Sequence, residues 1–162
     1  PAFNDYRALD SHYPGAKFIY LAREKTPWVA SIRQLLLRMH TNLTRPDGGF
    51  NIHIKRCYLT TFTDLSIDNI NQDDYLTKCY NTHLANAREY FKHRSNDYLE
   101  IDIAKPQSFA ELTAFLGIKS ERTDFEKMNI GGKVTAWNDI KHPLKIDSTS
   151  KGRIDKHLPY MR

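Results

Sequence analysis

Cysteine is scarce in this sequence. Cys57 and Cys79 are the two cysteines among 162 residues, and no C-x-x-C pair occurs. Cysteine-based zinc sites are built from such pairs, so we predict no metal site. The two cysteines fall in different predicted elements, and we expect both to be reduced and buried.

Long apolar runs are also missing. No stretch reaches the roughly 20 apolar residues that a membrane-spanning helix needs, and the sequence does not open with the basic and then apolar pattern of a secretory signal. We therefore predict a soluble segment without a membrane span.

Glycine-rich phosphate loops are absent too. The seven glycines nowhere form a G-x-x-x-x-G-K-[ST] pattern. A P-loop kinase holds its nucleotide and Mg²⁺ with this loop and an acidic partner, so a kinase-like phosphotransferase is the weaker enzyme hypothesis.

The rest of the composition is that of a soluble globular protein. The chain is 40% hydrophobic and 27% charged, and its length predicts a single domain over residues 1–162. Twenty-four basic residues against nineteen acidic ones give a net charge of +5. This excess fits an anionic partner such as a nucleotide or a nucleic acid, and it equally fits a lysine-rich solvated surface.

The most informative stretch is a strand, turn and helix near the start of the chain. The β-branched, aromatic and aliphatic residues of Lys17–Ala22 predict an interior parallel strand buried on both faces. Thr26 is expected to cap a helix with Pro27 in its first position, ending at about His40. Apolar residues at helical spacing predict one face packed on a sheet: Trp28, Val29, Ile32, Leu35, Leu36 and Met39.

Two polar side chains flank this junction. Ligands of open parallel sheets bind beyond the carboxyl ends of the strands, so Arg23 and Ser31 could together hold a phosphate. An arginine that ends a strand and a serine eight residues later resemble the 3′-phosphate-binding element of sulfotransferases. Those enzymes use 3′-phosphoadenylyl sulfate, whose desulfated form is adenosine 3′,5′-bisphosphate. The alternative is an exposed arginine and a small helix residue without a ligand.

The middle of the chain begins with an irregular stretch. Residues 41–70 have no clean period and predict a surface connection with one short helix, in preference to a lid over a substrate. Asp73–Phe91 then predicts a helix whose apolar face contains His83. We interpret His83 as a core histidine, with a polar contact at the site as the alternative.

A strand and another helix follow. Alternating residues in Asp97–Ala104 predict a half-buried strand. Ser108 and Glu111 form an S-x-x-E capping box for the next helix, which Gly117 is expected to end. This order predicts an α/β fold with parallel strands. A Tyr-x-x-His-Leu helix, a strand and a helix ending in Phe-Leu-Gly also resemble sulfotransferases.

A basic turn near the end of the sequence is the second candidate anion site. Lys151, Gly152 and Arg153 combine two cations with a glycine whose backbone can approach an anion closely. The sequence Ser-Lys-Gly-Arg followed by a proline resembles the cofactor loop of heparan-type carbohydrate sulfotransferases. Here Pro159 comes after a longer gap. The cysteine pair that flanks the loop in those Golgi enzymes is missing, which favours a cytoplasmic location.

The resemblance implies a three-layer α/β fold similar to P-loop NTPases, with a parallel sheet flanked by helices. It implies sulfuryl transfer from 3′-phosphoadenylyl sulfate to a hydroxyl or amine acceptor, with carbohydrates among the candidates. The cofactor-binding residues implied are Arg23, Ser31, Lys151, Gly152 and Arg153. The family's phosphate loop and catalytic base precede this arginine, so we expect the fold to be incomplete before Pro1 and assign no catalytic residue.

A non-catalytic basic module that binds nucleotides or nucleic acid is the alternative outside the enzymes. Such modules interleave aromatic residues with exposed cations, whereas the aromatic residues here follow buried periodicity. Nucleic acid is therefore not the partner that we expect.

Overall fold

The computed structural model describes residues 4–125 of the chain. Six helices and two strands form a mixed α/β unit in this part. In chain order they are α1 Tyr6–His12, β1 Phe18–Leu21, α2 Lys25–Thr44, α3 Ile52–Thr61, α4 Ile67–Ile70, α5 Asp73–Phe91, β2 Tyr98–Ile101 and α6 Ser108–Leu116. None of these helices combines the length and the apolar character needed to cross a membrane.

The two strands form a parallel pair, as the alternation of strands and helices predicts. Phe18 lies opposite Tyr98, and Leu21 lies opposite Ile101. Because the strands are parallel, their carboxyl ends lie at the same edge of the sheet. Both strands are shorter than predicted, at four residues each.

The described part of the chain does not show β1 as an interior strand buried on both faces. Within residues 4–125, β1 pairs with β2 alone. Ile19 is 39% exposed and Leu21 is 55% exposed, while Phe18 packs on Phe91 of α5 with ring centroids 4.8 Å apart. The apolar composition of β1 suits burial on both faces, but it does not tell whether a neighbouring element covers each face.

Helix α2 is longer than predicted, and it begins earlier. Glu24 is its N-cap, without a side-chain hydrogen bond, so the assignment of Thr26 as N-cap is wrong. Pro27 is the third helical residue, and the Trp28 N–H makes the first helical bond, to the Glu24 carbonyl at 3.3 Å. The N–H groups of the first turn have no helical partner, so proline fits this position without loss of a bond.

The core lies between the helices of the crossover from β1 to β2. Its buried residues come from α2 to α5 and the connections between them: Val29, Leu36, Leu43, Tyr58, Phe62, Ile70, Leu76 and Cys79. Residues 41–70 are thus not the surface connection that we predicted, because α3 and α4 contribute Tyr58 and Ile70 to this core. Cys57 and Cys79 are both buried, as predicted.

Helix α6 begins one residue before the start that the capping box predicts, and it is capped differently. Its N-cap is Gln107, and the buried Ser108 hydroxyl donates to the Asp102 carbonyl just after β2. The Ser108 cap is therefore wrong, because the hydroxyl bonds to the end of the strand instead. Gly117 ends the helix with φ 68°, the left-handed conformation that glycine adopts without strain, as predicted.

Candidate functional site

Arg23 lies at the carboxyl end of β1, where the sequence places it. The Ala22 N–H donates to the Ile101 carbonyl at 2.8 Å, and Glu24 already caps α2. The Arg23 side chain is exposed, and its guanidinium forms no hydrogen bond or ion pair with any residue of 4–125. Its forked donors therefore remain open to an anion from solvent.

The main chain of Arg23, in contrast, is held by one side chain of α5. The Arg23 N–H donates to the Tyr80 hydroxyl at 3.1 Å, and the same hydroxyl donates to the Arg23 carbonyl at 3.3 Å. Tyr80 is 6% exposed. The residue that follows the strand is thus fixed by α5 while its side chain stays exposed.

The first turn of α2 adds positive character next to Arg23. Lys25 and Thr26 are its first two residues, and no side chain caps their N–H groups because Glu24 makes no capping bond. Unpaired N–H groups and the positive end of the helix dipole attract anions. The Glu24 carboxylate brings one opposing charge to this region.

Ser31 lies on α2, exposed, farther from the helix start than we expected. Because α2 begins at Lys25, Ser31 is its seventh residue, about 9 Å along the helix axis from the first. Arg23 therefore lies in the connection between β1 and α2, and Ser31 lies in the second turn of α2. Lys151, Gly152 and Arg153 lie outside the described residues.

An aromatic cavity of about 430 Å³ lies beside β1. Residues of both strands and of α1, α2, α3 and α5 line it, among them Tyr20, Trp28 and His83. No lysine, arginine, aspartate or glutamate of the described chain is part of this lining. Burial lowers the pKa of His83 and raises the pKa of Tyr20, so both side chains are neutral near neutral pH. A cavity without fixed charge is poorly suited to phosphates, so the candidate anion site is the junction at Arg23.

His83 fits the core interpretation more closely than the alternative. Its ring centroid lies 5.7 Å from that of Tyr6 and 5.8 Å from that of Tyr20. Among the described residues, no group of three histidine, cysteine, aspartate or glutamate side chains is arranged to hold a metal ion.

Sequence reasoning missed Tyr80. Tyr80 is a buried residue of α5, and its hydroxyl also binds the Arg23 main chain. A buried tyrosine normally finds a hydrogen-bond partner for its hydroxyl, and that rule is the one signal that the sequence offered.

Comparison with known proteins is consistent with this geometry. The family model described as a sulfotransferase domain matches residues 1–134. The matched range contains Arg23, Ser31 and Tyr80, and it ends before Lys151. No curated protein matches the sequence.

Proposed function

The chain belongs to the sulfotransferase domain family, and from this we propose that it takes part in sulfuryl transfer from 3′-phosphoadenylyl sulfate to a hydroxyl or amine acceptor. Carbohydrates are among the candidate acceptors. The donor would supply a sulfuryl group bonded to a phosphate leaving group, while the chain's own residues bind and orient the nucleotide.

The observation that carries this proposal is the open guanidinium of Arg23 at the end of β1. Its fork of donors matches two oxygens of a terminal phosphate, and its main chain is already fixed by Tyr80. The uncapped first turn of α2 lies next to it in the chain. These features fit the 3′-phosphate of the donor, which is the group that distinguishes it from ordinary adenine nucleotides.

Two further parts of the proposal rest on the resemblance. Ser31 would donate its hydroxyl to the same 3′-phosphate from the exposed surface of α2. Lys151, Gly152 and Arg153 would also bind the nucleotide. Two cations and a glycine N–H supply the donors that an anion needs.

We also propose that β1 and β2 belong to a larger, three-layer parallel sheet similar to that of P-loop NTPases. The parallel pairing supports this, and so do the exposed side chains of Ile19 and Leu21. The Ala22 and Phe18 N–H groups bond to β2, so the backbone groups of Ile19 and Leu21 face the opposite edge. An additional strand at that edge would pair them.

Binding calorimetry with two nucleotides tests the role of Arg23. Adenosine 3′,5′-bisphosphate carries the 3′-phosphate, and adenosine 5′-monophosphate lacks it. We expect Arg23→Ala to weaken binding of the bisphosphate by about ten- to a hundredfold and to leave binding of the monophosphate nearly unchanged. Arg38→Ala is the matched control, because Arg38 is an exposed arginine farther along α2.

Two outcomes would contradict the proposal. Equal losses for both nucleotides would mean that Arg23 does not recognise the 3′-phosphate. Tighter binding of ATP with Mg²⁺, or of a DNA oligomer, than of the bisphosphate would favour a kinase-like or a nucleic-acid-binding protein.

A further inference from the structure

Arg23 occupies a gap between two hydrogen-bond ladders. The ladder between β1 and β2 ends with the bond from the Ala22 N–H to Ile101, and the helical ladder of α2 begins with the bond from Trp28 to the Glu24 carbonyl. The N–H and the carbonyl of Arg23 belong to neither. Backbone polar groups in such a position need another partner, because unpaired buried ones are costly.

The Tyr80 hydroxyl is that partner for both groups. A phenolic hydroxyl carries one donor and also accepts, so a single oxygen can accept from the Arg23 N–H and donate to the Arg23 carbonyl. Two bonds to one residue fix the peptide groups on both sides of its Cα. The point from which the Arg23 side chain departs is thereby set.

Ring contacts hold Tyr80 itself from both sides of the junction. Its ring lies edge-on to that of Trp28 on α2, with centroids 4.8 Å apart, and edge-on to that of Tyr20 on β1 at 6.4 Å. One side chain of α5 therefore contacts the strand, the junction and the helix. Its hydroxyl has little freedom to move away from Arg23.

We propose that Tyr80 is the positioning residue of the anion site, which fixes the Arg23 main chain and with it the point from which the guanidinium reaches the 3′-phosphate. This inference rests on the proposed function, because it takes Arg23 as the ligand of that phosphate. Ordering a flexible residue on binding costs affinity, and a main chain that is held beforehand leaves the side chain alone to be ordered, which reduces this cost. Tyr80 acts through Arg23 and does not touch the nucleotide.

Tyr80→Phe isolates the hydroxyl, because phenylalanine keeps the ring that packs on Trp28 and Tyr20. The Arg23 amide should exchange its hydrogen with solvent at least about tenfold faster in the variant, since its acceptor is gone. Tyr98→Phe is the matched control. The Tyr98 hydroxyl is buried without a hydrogen-bond partner in the described structure, so its removal should leave the Arg23 amide unchanged.

Calorimetry with the full-length protein then measures the effect on binding. We expect Tyr80→Phe to weaken the binding of adenosine 3′,5′-bisphosphate by about two- to tenfold and to leave the affinity for adenosine 5′-monophosphate unchanged. In an Arg23→Ala background the same substitution should have no further effect, because Tyr80 acts only through Arg23. If Tyr80 had only a general structural role, Tyr80→Phe would weaken the binding of both nucleotides. The loss would then also appear in the Arg23→Ala background.

The outcomes separate this inference from the proposed function. Suppose that wild type binds the bisphosphate, and that Arg23→Ala weakens this binding while Tyr80→Phe does not. The positioning role of Tyr80 is then wrong, and the proposed function stands. If wild type does not prefer the bisphosphate over the monophosphate, the proposed function fails and the positioning role fails with it. Slow exchange of the Arg23 amide in Tyr80→Phe would contradict the inference without any ligand.

Discussion

The Arg94 guanidinium binds both carboxylate oxygens of Asp10. Arg94 Nη1 lies 2.5 Å from Asp10 Oδ2, and Nη2 lies 2.9 Å from Oδ1. The Tyr90 hydroxyl also donates to Oδ2, at 2.7 Å, and Arg94 Nε donates to Asp97 at 2.9 Å. These bonds join α1 to the segment between α5 and β2, which is the segment that leads into the sheet.

This cluster predicts a loss of stability in acid. The hydrogen bonds from Arg94 and then from Tyr90 lower the pKa of Asp10 from 3.8 to about 2. Because the pKa is lower in the folded state, the stabilisation is complete above the unfolded value and is lost as the pH falls from about 4 to about 2. We expect Asp10→Asn to be less stable than wild type at neutral pH and to lose less stability across this window.

Thermal unfolding followed by circular dichroism at a series of pH values checks this prediction. Glu89→Gln is the control, since Glu89 pairs with Lys92 on the exposed surface and both side chains are more than half exposed. Its curve should follow that of wild type closely. If the melting temperatures of wild type and Asp10→Asn fell equally between about pH 4 and pH 2, Asp10 would not be the cause of the acid sensitivity.

Local patterns were sufficient to locate α2, α5, α6 and both strands, and to predict that the strands are parallel. Apolar spacing located α2 and α5, and strands separated by a long helical crossover correctly predicted the parallel pairing of β1 and β2. The position of Arg23 at the end of a strand followed from the same pattern. These features depend on neighbours in the sequence or on general rules of chain connection.

Features that depend on distant partners could not be predicted. Tyr80 and Arg23 are 57 residues apart, and nothing in the pattern of α5 shows where the Tyr80 hydroxyl points. The N-caps assigned to Thr26 and Ser108 were wrong, because the two helices begin after Glu24 and Gln107. A capping pattern in the sequence does not determine the residue at which the chain turns into a helix. The exposure of Ile19 and Leu21 likewise depends on which elements cover β1.

The misassigned cap at Ser108 leads to a second prediction. Its hydroxyl is buried and donates to the Asp102 carbonyl, which links the end of β2 to the start of α6. Ser108→Ala removes this donor, while the Asp102 carbonyl keeps its bond from the Lys105 N–H. We therefore expect a loss of about 0.5–1.5 kcal/mol in the free energy of unfolding. Urea titration of both proteins measures the difference.

The same chemical change at an exposed site provides the control for this measurement. Ser31→Ala removes a hydroxyl from the surface of α2, so its effect on the free energy of unfolding should stay within about 0.5 kcal/mol. A comparable loss in both variants would mean that the buried bond to Asp102 contributes nothing of its own.

The last prediction concerns how far the anion site extends along α2. If Ser31 donates to the 3′-phosphate, Ser31→Ala should weaken adenosine 3′,5′-bisphosphate by about two- to tenfold, less than Arg23→Ala, because a neutral donor is lost and not a charged one. Binding of adenosine 5′-monophosphate should not change. Thr41→Ala removes an exposed hydroxyl from the far end of the same helix and is the control for calorimetry. Because α2 begins at Lys25, Ser31 lies about 9 Å along the helix axis from the first helical residue. For both residues to bind the same phosphate, the long Arg23 side chain must extend toward Ser31. Equal affinities for Ser31→Ala and Thr41→Ala would confine the phosphate to Arg23 and the first turn of α2.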